Sequence, residues 1–260
     1  MEKYVYTVIP PPHSLAPYVI NFWYCCGAAP LMPQAIHSDG CISILLVMSG
    51  ESNINNAAIR SGAFLLGPQT TSHLWHFKSD KQTMFGVRLT PLGAKHFTHM
   101  PLKYVKNQCI ELQEFISIIP LQMKVISPIM EPIQRIYSLC EWLETHFDHT
   151  SYHLPDAYYL ISSQIDSKAR SIKLSDLYDT MGMNGRRVER AFIEVLGISA
   201  KEYATLVEVS KSRSVIKCNP HKSLTDIAYD LEYTDQSHFI RQFKKVMKIT
   251  PKQYRMRLPT

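Results

Sequence analysis

Residues 223–247 read SLTDIAYDLEYTDQSHFIRQFKKVM. Ile227, Ala228 and Leu231 recur at helical spacing and make the inner face of a short helix. Ser223 is placed to cap that helix, with Asp226 as its acidic partner in a short capping box. Thr234 reads as the cap of a second helix, on which Phe239 and Phe243 lie one turn apart and point inward. Asp235, Gln236, Ser237 and His238 crowd the first turn of this second helix, with Arg241, Lys244 and Lys245 behind them. Such a helix buries its aromatic side and presents polar and basic groups near its start. That is the layout of an element that enters a DNA major groove: Gln and Ser can meet base edges, and Arg and Lys can meet bases or phosphates.

The same arrangement stands about 49 residues earlier, in KLSDLYDTMGMNGRRVERAFIEVLG, residues 173–197. Ser175 reads as a cap near the start of a helix over 176–181, and Gly182 supplies the positive φ of a tight turn. Asn184 caps the next helix, where Val188, Phe192 and Val195 point inward and Arg186, Arg187, Glu189 and Arg190 point outward. A long helix over 200–217 joins the halves. At 1.5 Å per residue it is about 27 Å long, against roughly 34 Å between successive major grooves on one DNA face.

Charge is segregated in the same way. Residues 1–160 hold 10 Lys+Arg and 11 Asp+Glu, a net of −1; residues 161–260 hold 18 and 11, a net of +7. A basic excess confined to the last hundred residues points to a polyanionic partner. The hydrophobic fraction of 45% and charged fraction of 19% describe a globular chain rather than a disordered one. No secretory signal or membrane-length apolar run is read, so a cytoplasmic protein with no membrane partner is expected. None of the six cysteines forms a C-x-x-C pair, and reduced, buried thiols are expected.

The first 110 residues read as mostly β. The apolar runs 41–48 and 83–89 are separated by turn signals at Asp39-Gly40, Ser49-Gly50, Asn55-Asn56, Ser61-Gly62 and Gly67-Pro68. From Glu111 the period becomes helical, first at Leu112, Phe115, Ile116 and Ile119. It returns after Pro132 at Ile133, Ile136, Leu139, Cys140, Leu143 and Phe147. The organisation expected is a β domain over 1–110, a helical extension over 111–147, a linker over 148–156, and an all-helical domain of seven helices over 157–260.

Residues 157–258 resemble the DNA-binding domain of the AraC/XylS family. The resemblance rests on Leu224, Ile227-Ala228, Asp235-Gln236-Ser237, Phe239, Phe243-Lys244-Lys245, Thr250-Pro251, Tyr254 and Arg255. In the first half it rests on Leu174, Leu177, Gly182-Met183, Val188, Arg190, Phe192, Gly197 and Ser199. Three positions depart from the family pattern: Glu232 replaces a turn Gly, and Gly185 and Ala200 replace Pro. If Glu232 is held at positive φ it costs on the order of 1 kcal/mol, so either the second half is strained or its turn differs from the family's. The N-terminal arm, His37-Ser38-Asp39-Gly40, Gly67-Pro68-Gln69 and residues 86–93 are similar to a cupin-like sensor domain of this family. The fold class implied is α+β, with a cupin-like antiparallel β barrel or sandwich followed by a tandem helix-turn-helix domain. The resemblance implies a transcription regulator, usually an activator, that binds double-stranded DNA. Its N-terminal domain would bind a small-molecule effector, pair with a second copy of the chain, or both, the alternative being a regulator with no effector at all; an activator would also have RNA polymerase as a partner.

A cupin-like barrel also raises the alternative of a metalloenzyme carrying a DNA-binding appendage. His73 and His76 are the best ligand pair, but residues i and i+3 of a strand face opposite sides. No metal triad, nucleophile elbow, paired carboxylates or cofactor motif is read, so no catalytic activity is expected. Trp23 and Trp75 are the residues that could line an effector pocket, core packing being the commoner role for such side chains.

Overall fold

The computed structural model describes residues 4–54, 57–98, 100–112, 131–147, 153–167 and 173–258. The chain divides into two compact units. One contains residues 1–36, 41–69 and 73–153; the other contains 37–40, 70–72 and 154–260.

The first unit is built on two antiparallel sheets. Strands β1 (Val5–Ile9), β2 (Val19–Ala28), β4 (Ile42–Ser49), β7 (Gly62–Leu66), β9 (Lys81–Leu89) and β10 (Cys109–Glu111) form a six-stranded sheet in the order β1-β2-β9-β4-β7-β10. Strands β3 (Gln34–Ile36), β5 (Ser52–Ile54), β6 (Ala57–Ile59) and β8 (His73–Phe77) form a four-stranded sheet in the order β3-β8-β5-β6. Among the described residues the strands thus make a sandwich of two sheets, not a closed barrel.

The central strands explain their own composition. The six-stranded sheet is covered on both faces, which is why β4 reads as a nearly unbroken apolar run rather than an alternating one. Ile42, Ile44, Leu46, Phe85, Val87 and Leu89 meet helices α1 (Pro91–Phe97) and α2 (Pro132–His146) through Ala94, Phe97, Ile136, Leu139 and Leu143. Leu45, Val47 and Met84, on the opposite face, pack with Ile54, Ile59 and Trp75 of the smaller sheet. Pro132 occupies the first turn of α2, and its stripe is buried except at Ile133, which is 40% exposed. The helix expected over Phe115, Ile116 and Ile119 lies outside the described residues, as do residues 148–152 of the expected linker.

Trp23 and Trp75 meet edge to face with ring centroids 6.1 Å apart, and both are core residues. Trp23 lies directly over Gly86 of the neighbouring strand, where a Cβ would stand 2.2 Å from the indole. His73 is partly buried and His76 is exposed, as their opposite facing requires. Among the described residues no group of three His, Cys, Asp or Glu could hold a metal ion. Gly40 adopts φ 77°, the turn conformation expected after Asp39. All six cysteines are unbridged, but contrary to expectation only Cys25 and Cys140 are buried and Cys218 is exposed; burial pushes the Cys25 thiol up to about 11 and that of Cys109 up to about 12.

The second unit contains helices α3 (Asp156–Ser167), α4 (Leu174–Thr180), α5 (Gly185–Leu196), α6 (Ala200–Cys218), α7 (Leu224–Asp230), α8 (Gln236–Met247) and α9 (Pro251–Met256). One apolar cluster runs through all of them, from Tyr158, Ile161 and Leu177 to Phe243, Val246 and Tyr254. Buried positions of α6 such as Ala204 and Leu206 lie two residues apart, on opposite sides of a helix. Helix α6 therefore carries no single apolar stripe, because the two halves pack on different sides of it. No helix among the described residues is long and apolar enough to cross a membrane.

Replacing Gly86 by Ala forces the new methyl into Trp23. It is expected to destabilise the β unit by about 3 kcal/mol. All three tryptophans of the chain (Trp23, Trp75 and Trp142) lie in that unit, so fluorescence-monitored urea unfolding reads it separately from the helical one.

Candidate nucleic-acid interface

The two helix-turn-helix halves close their turns identically. In the first, the Met183 N–H donates to the Tyr178 carbonyl at 2.8 Å around Gly182 at φ 62°. In the second, the Tyr233 N–H donates to the Ala228 carbonyl at 3.0 Å around Glu232 at φ 55°. Glu232 is thus held in the left-handed conformation that its position demands. After the turn the second half has one extra residue, Thr234. It shifts the cap to Asp235, whose carboxylate accepts the His238 N–H at 2.7 Å. Thr234, expected as the cap, is an exposed turn residue instead. The first half has no such insertion, and Asn184 caps α5 by accepting the N–H groups of Arg186 at 2.9 Å and Arg187 at 3.4 Å.

Two other caps differ from expectation. Helix α4 begins at Leu174, so Ser175 sits inside its first turn and its hydroxyl donates to Asp176 at 3.1 Å. Ser223 caps α7 by accepting the Asp226 N–H, but the box that would return a bond from Asp226 does not form. Full capping boxes stand elsewhere, at Ser199–Glu202 and Thr250–Gln253, each just after a recognition helix ends. Their S/T-x-x-E/Q spacing was visible in the sequence.

Arg186, Arg187 and Arg190 on α5, and Gln236, Ser237, Arg241, Lys244 and Lys245 on α8, are exposed. Their backs are fixed by fully buried Val188, Phe192, Phe239 and Phe243. Glu189 does not share that outward face. Its Oε2 accepts the Ala200 N–H at 3.1 Å and so pins α5 to the start of α6. Burial, reinforced by the Glu189 carboxylate beside it, pushes the Tyr178 phenol up to about 12. The Tyr178 ring also explains Gly185, since a Cβ there would come within 3.3 Å of it. His238 is half-buried and turned toward its own unit. Its ring meets Tyr233 edge-on at 5.6 Å, and its Nδ1 is buried without a hydrogen-bond partner.

Several positioning residues were not read from the sequence. Tyr203 donates its hydroxyl to Asp166 at 2.8 Å, and Lys211 donates to the Ile165 and Asp166 carbonyls at 3.2 and 2.9 Å. These bonds anchor the C-terminus of α3 to α6. Ser212, fully buried, bonds the Tyr233 hydroxyl at 3.2 Å and the Glu208 carbonyl at 2.8 Å, tying α6 to the second turn. Burial pushes the Tyr233 phenol up to about 12 against the lowering effect of Ser212.

Comparison with known proteins agrees with this geometry. Residues 177–257 match the family described as a helix-turn-helix domain. This region is an AraC-type helix-turn-helix domain. Residues 7–111 match a domain of unknown function (DUF6597). The F1 operon positive regulatory protein of Yersinia pestis is 29% identical over 96 residues, 37% of this chain and 31% of that protein. YkgA of Escherichia coli K12 is 23% identical over 122 residues, 47% of this chain and 42% of that protein. The chain thus spans less than half the length of these two relatives. A structure of ToxT from Vibrio cholerae superposes with a TM-score of 0.48 at 14% identity, covering 99% of each chain.

The AraC-type domain carries non-glycine residues in the left-handed conformation at Glu232 and at Lys248, with φ 60°. At the matching C-cap of α5 the first half has Gly197. Glu232→Gly and Lys248→Gly are each expected to stabilise the helical unit by about 1 kcal/mol. Glu189→Ala is expected to destabilise it by about 1 kcal/mol through the orphaned Ala200 N–H. Urea unfolding followed by far-ultraviolet circular dichroism checks all three; a loss of stability in either glycine variant contradicts the strain.

Proposed function

We propose that the protein is a sequence-specific DNA-binding transcription regulator, an activator, acting in the cytoplasm. The reading is carried by one observation: two exposed, basic helix faces stand on a single apolar core at the two ends of one connecting helix. Arg186, Arg187 and Arg190 on α5, and Gln236, Ser237 and Arg241 on α8, are the base-reading set. Lys244 and Lys245 meet phosphates. Asn184, Glu189 and Asp235 act from behind, by holding the starts and joints of the helices. The residue left between the roles is His238, whose ring already faces inward.

The β unit is proposed to bind a small effector, to pair two copies of the chain, or both, and an activator of this kind contacts RNA polymerase. Trp23 and Trp75 belong to the sandwich core. An effector reaching them would part the two sheets and accept a bond from the Trp75 Nε1, which is buried without a partner.

The test is competition between a selected genomic duplex and bulk DNA for the full-length protein. Arg186→Ala, Arg187→Ala and Gln236→Ala are expected to change which sequence is preferred. Lys245→Ala is expected to weaken all duplexes alike and to lower the salt slope by about 1. An equal loss on every sequence in all four variants contradicts this division of roles.

A further inference from the structure

Between the two helix-turn-helix halves lies a cleft of about 380 Å³ that the base-reading residues do not use. Lys173, Leu174 and Ser175 line it from the first half, and His238 and Gln242 from the second. Lys201, Thr205 and Glu208 come from α6, at the spacing that puts all three on one side of that helix. Two lysines and the Gln242 amide face one space, against a single carboxylate, while the Ser175 and Thr205 hydroxyls already donate to Asp176 and to the Lys201 carbonyl. Lys201 is exposed, and Lys173 is 3.0 Å from Asp176 in a solvent-exposed pair of the kind that contributes little. A phosphate can therefore take over the Lys173 ammonium at small cost.

We propose that this cleft seats one backbone phosphate of the DNA strand that passes between the two recognition helices. The proposal rests on the DNA-binding reading and extends it to a site that reads no sequence. If α5 and α8 enter successive major grooves about 34 Å apart, the strand between those grooves must cross the surface between the two halves. The cleft is built from both halves and from the helix that joins them, so a strand crossing between the halves on this side meets it. A phosphate held there fixes the register between the two half-sites, because backbone contacts position a protein and leave the bases to other groups. The His238 ring, drawn inward against Tyr233, lines the seat instead of reaching a base edge.

The test uses the full-length protein, the duplex it selects, and the same duplex carrying single neutral methylphosphonate linkages along each strand. For the native protein, one linkage between the half-sites is expected to weaken binding about tenfold. Lys173→Gln/Lys201→Gln is expected to weaken the unmodified duplex and an unrelated duplex by the same factor, and to be indifferent to that linkage. Lys173→Arg/Lys201→Arg, which keeps both charges, retains the sensitivity. If no linkage between the half-sites is coupled to the lysines, the seat is overturned while the regulator reading stands. If the native protein prefers no duplex at all, both fall.

Discussion

The helical unit depends on the burial of α6 on more than one side at once. Phe192 with Tyr158 and Tyr203 closes one half, at ring separations of 5.0 and 5.5 Å. Phe239, Phe243 and Tyr254 close the other, at 5.9 and 5.6 Å. Neither half could bury its aromatic residues alone, and a seven-residue helix such as α4 or α7 is far too short to persist without tertiary packing. The outward faces of α5 and α8 are therefore held at a defined separation by one shared core. The bonds of Glu189 to Ala200 and of Ser212 to Tyr233 then fix the joints at its two ends.

That dependence explains what the sequence made legible. Inward positions follow from helical period alone, and Val188, Phe192, Val195, Ile227, Ala228, Leu231, Phe239 and Phe243 are all buried as their spacing requires. For Glu232 the sequence left open a strained turn or a different one, and the φ of 55° shows that the turn is kept and the residue carries the strain. Caps were harder. A single inserted residue moved the second cap from Thr234 to Asp235, and no local rule distinguishes two adjacent good capping residues. Glu189 and His238 were assigned outward on the period of their own helices. Each is drawn inward by a group on a different element, Ala200 or Tyr233, and helical period carries no information about such partners.

The β unit shows the same limit in another form. Strands and turns were visible from glycine punctuation, the Asn55-Asn56 signal lying outside the described residues, while the partition of strands into two sheets was not. Covering one sheet on both faces removes the alternation from β4, and alternation is common to barrels and sandwiches in any case. Trp23 and Gly86 are paired across neighbouring strands more than sixty residues apart, which makes the indole a core element held in place by an absent side chain.

The central claim is that the two halves act as one reader with a fixed span. Its most direct test is hydroxyl-radical footprinting of the full-length protein on the genomic fragments it enriches. The account predicts two protected patches on one face of the duplex, about one helical turn apart. A single patch, two patches at variable spacing, or no fragment enriched over bulk DNA would contradict it.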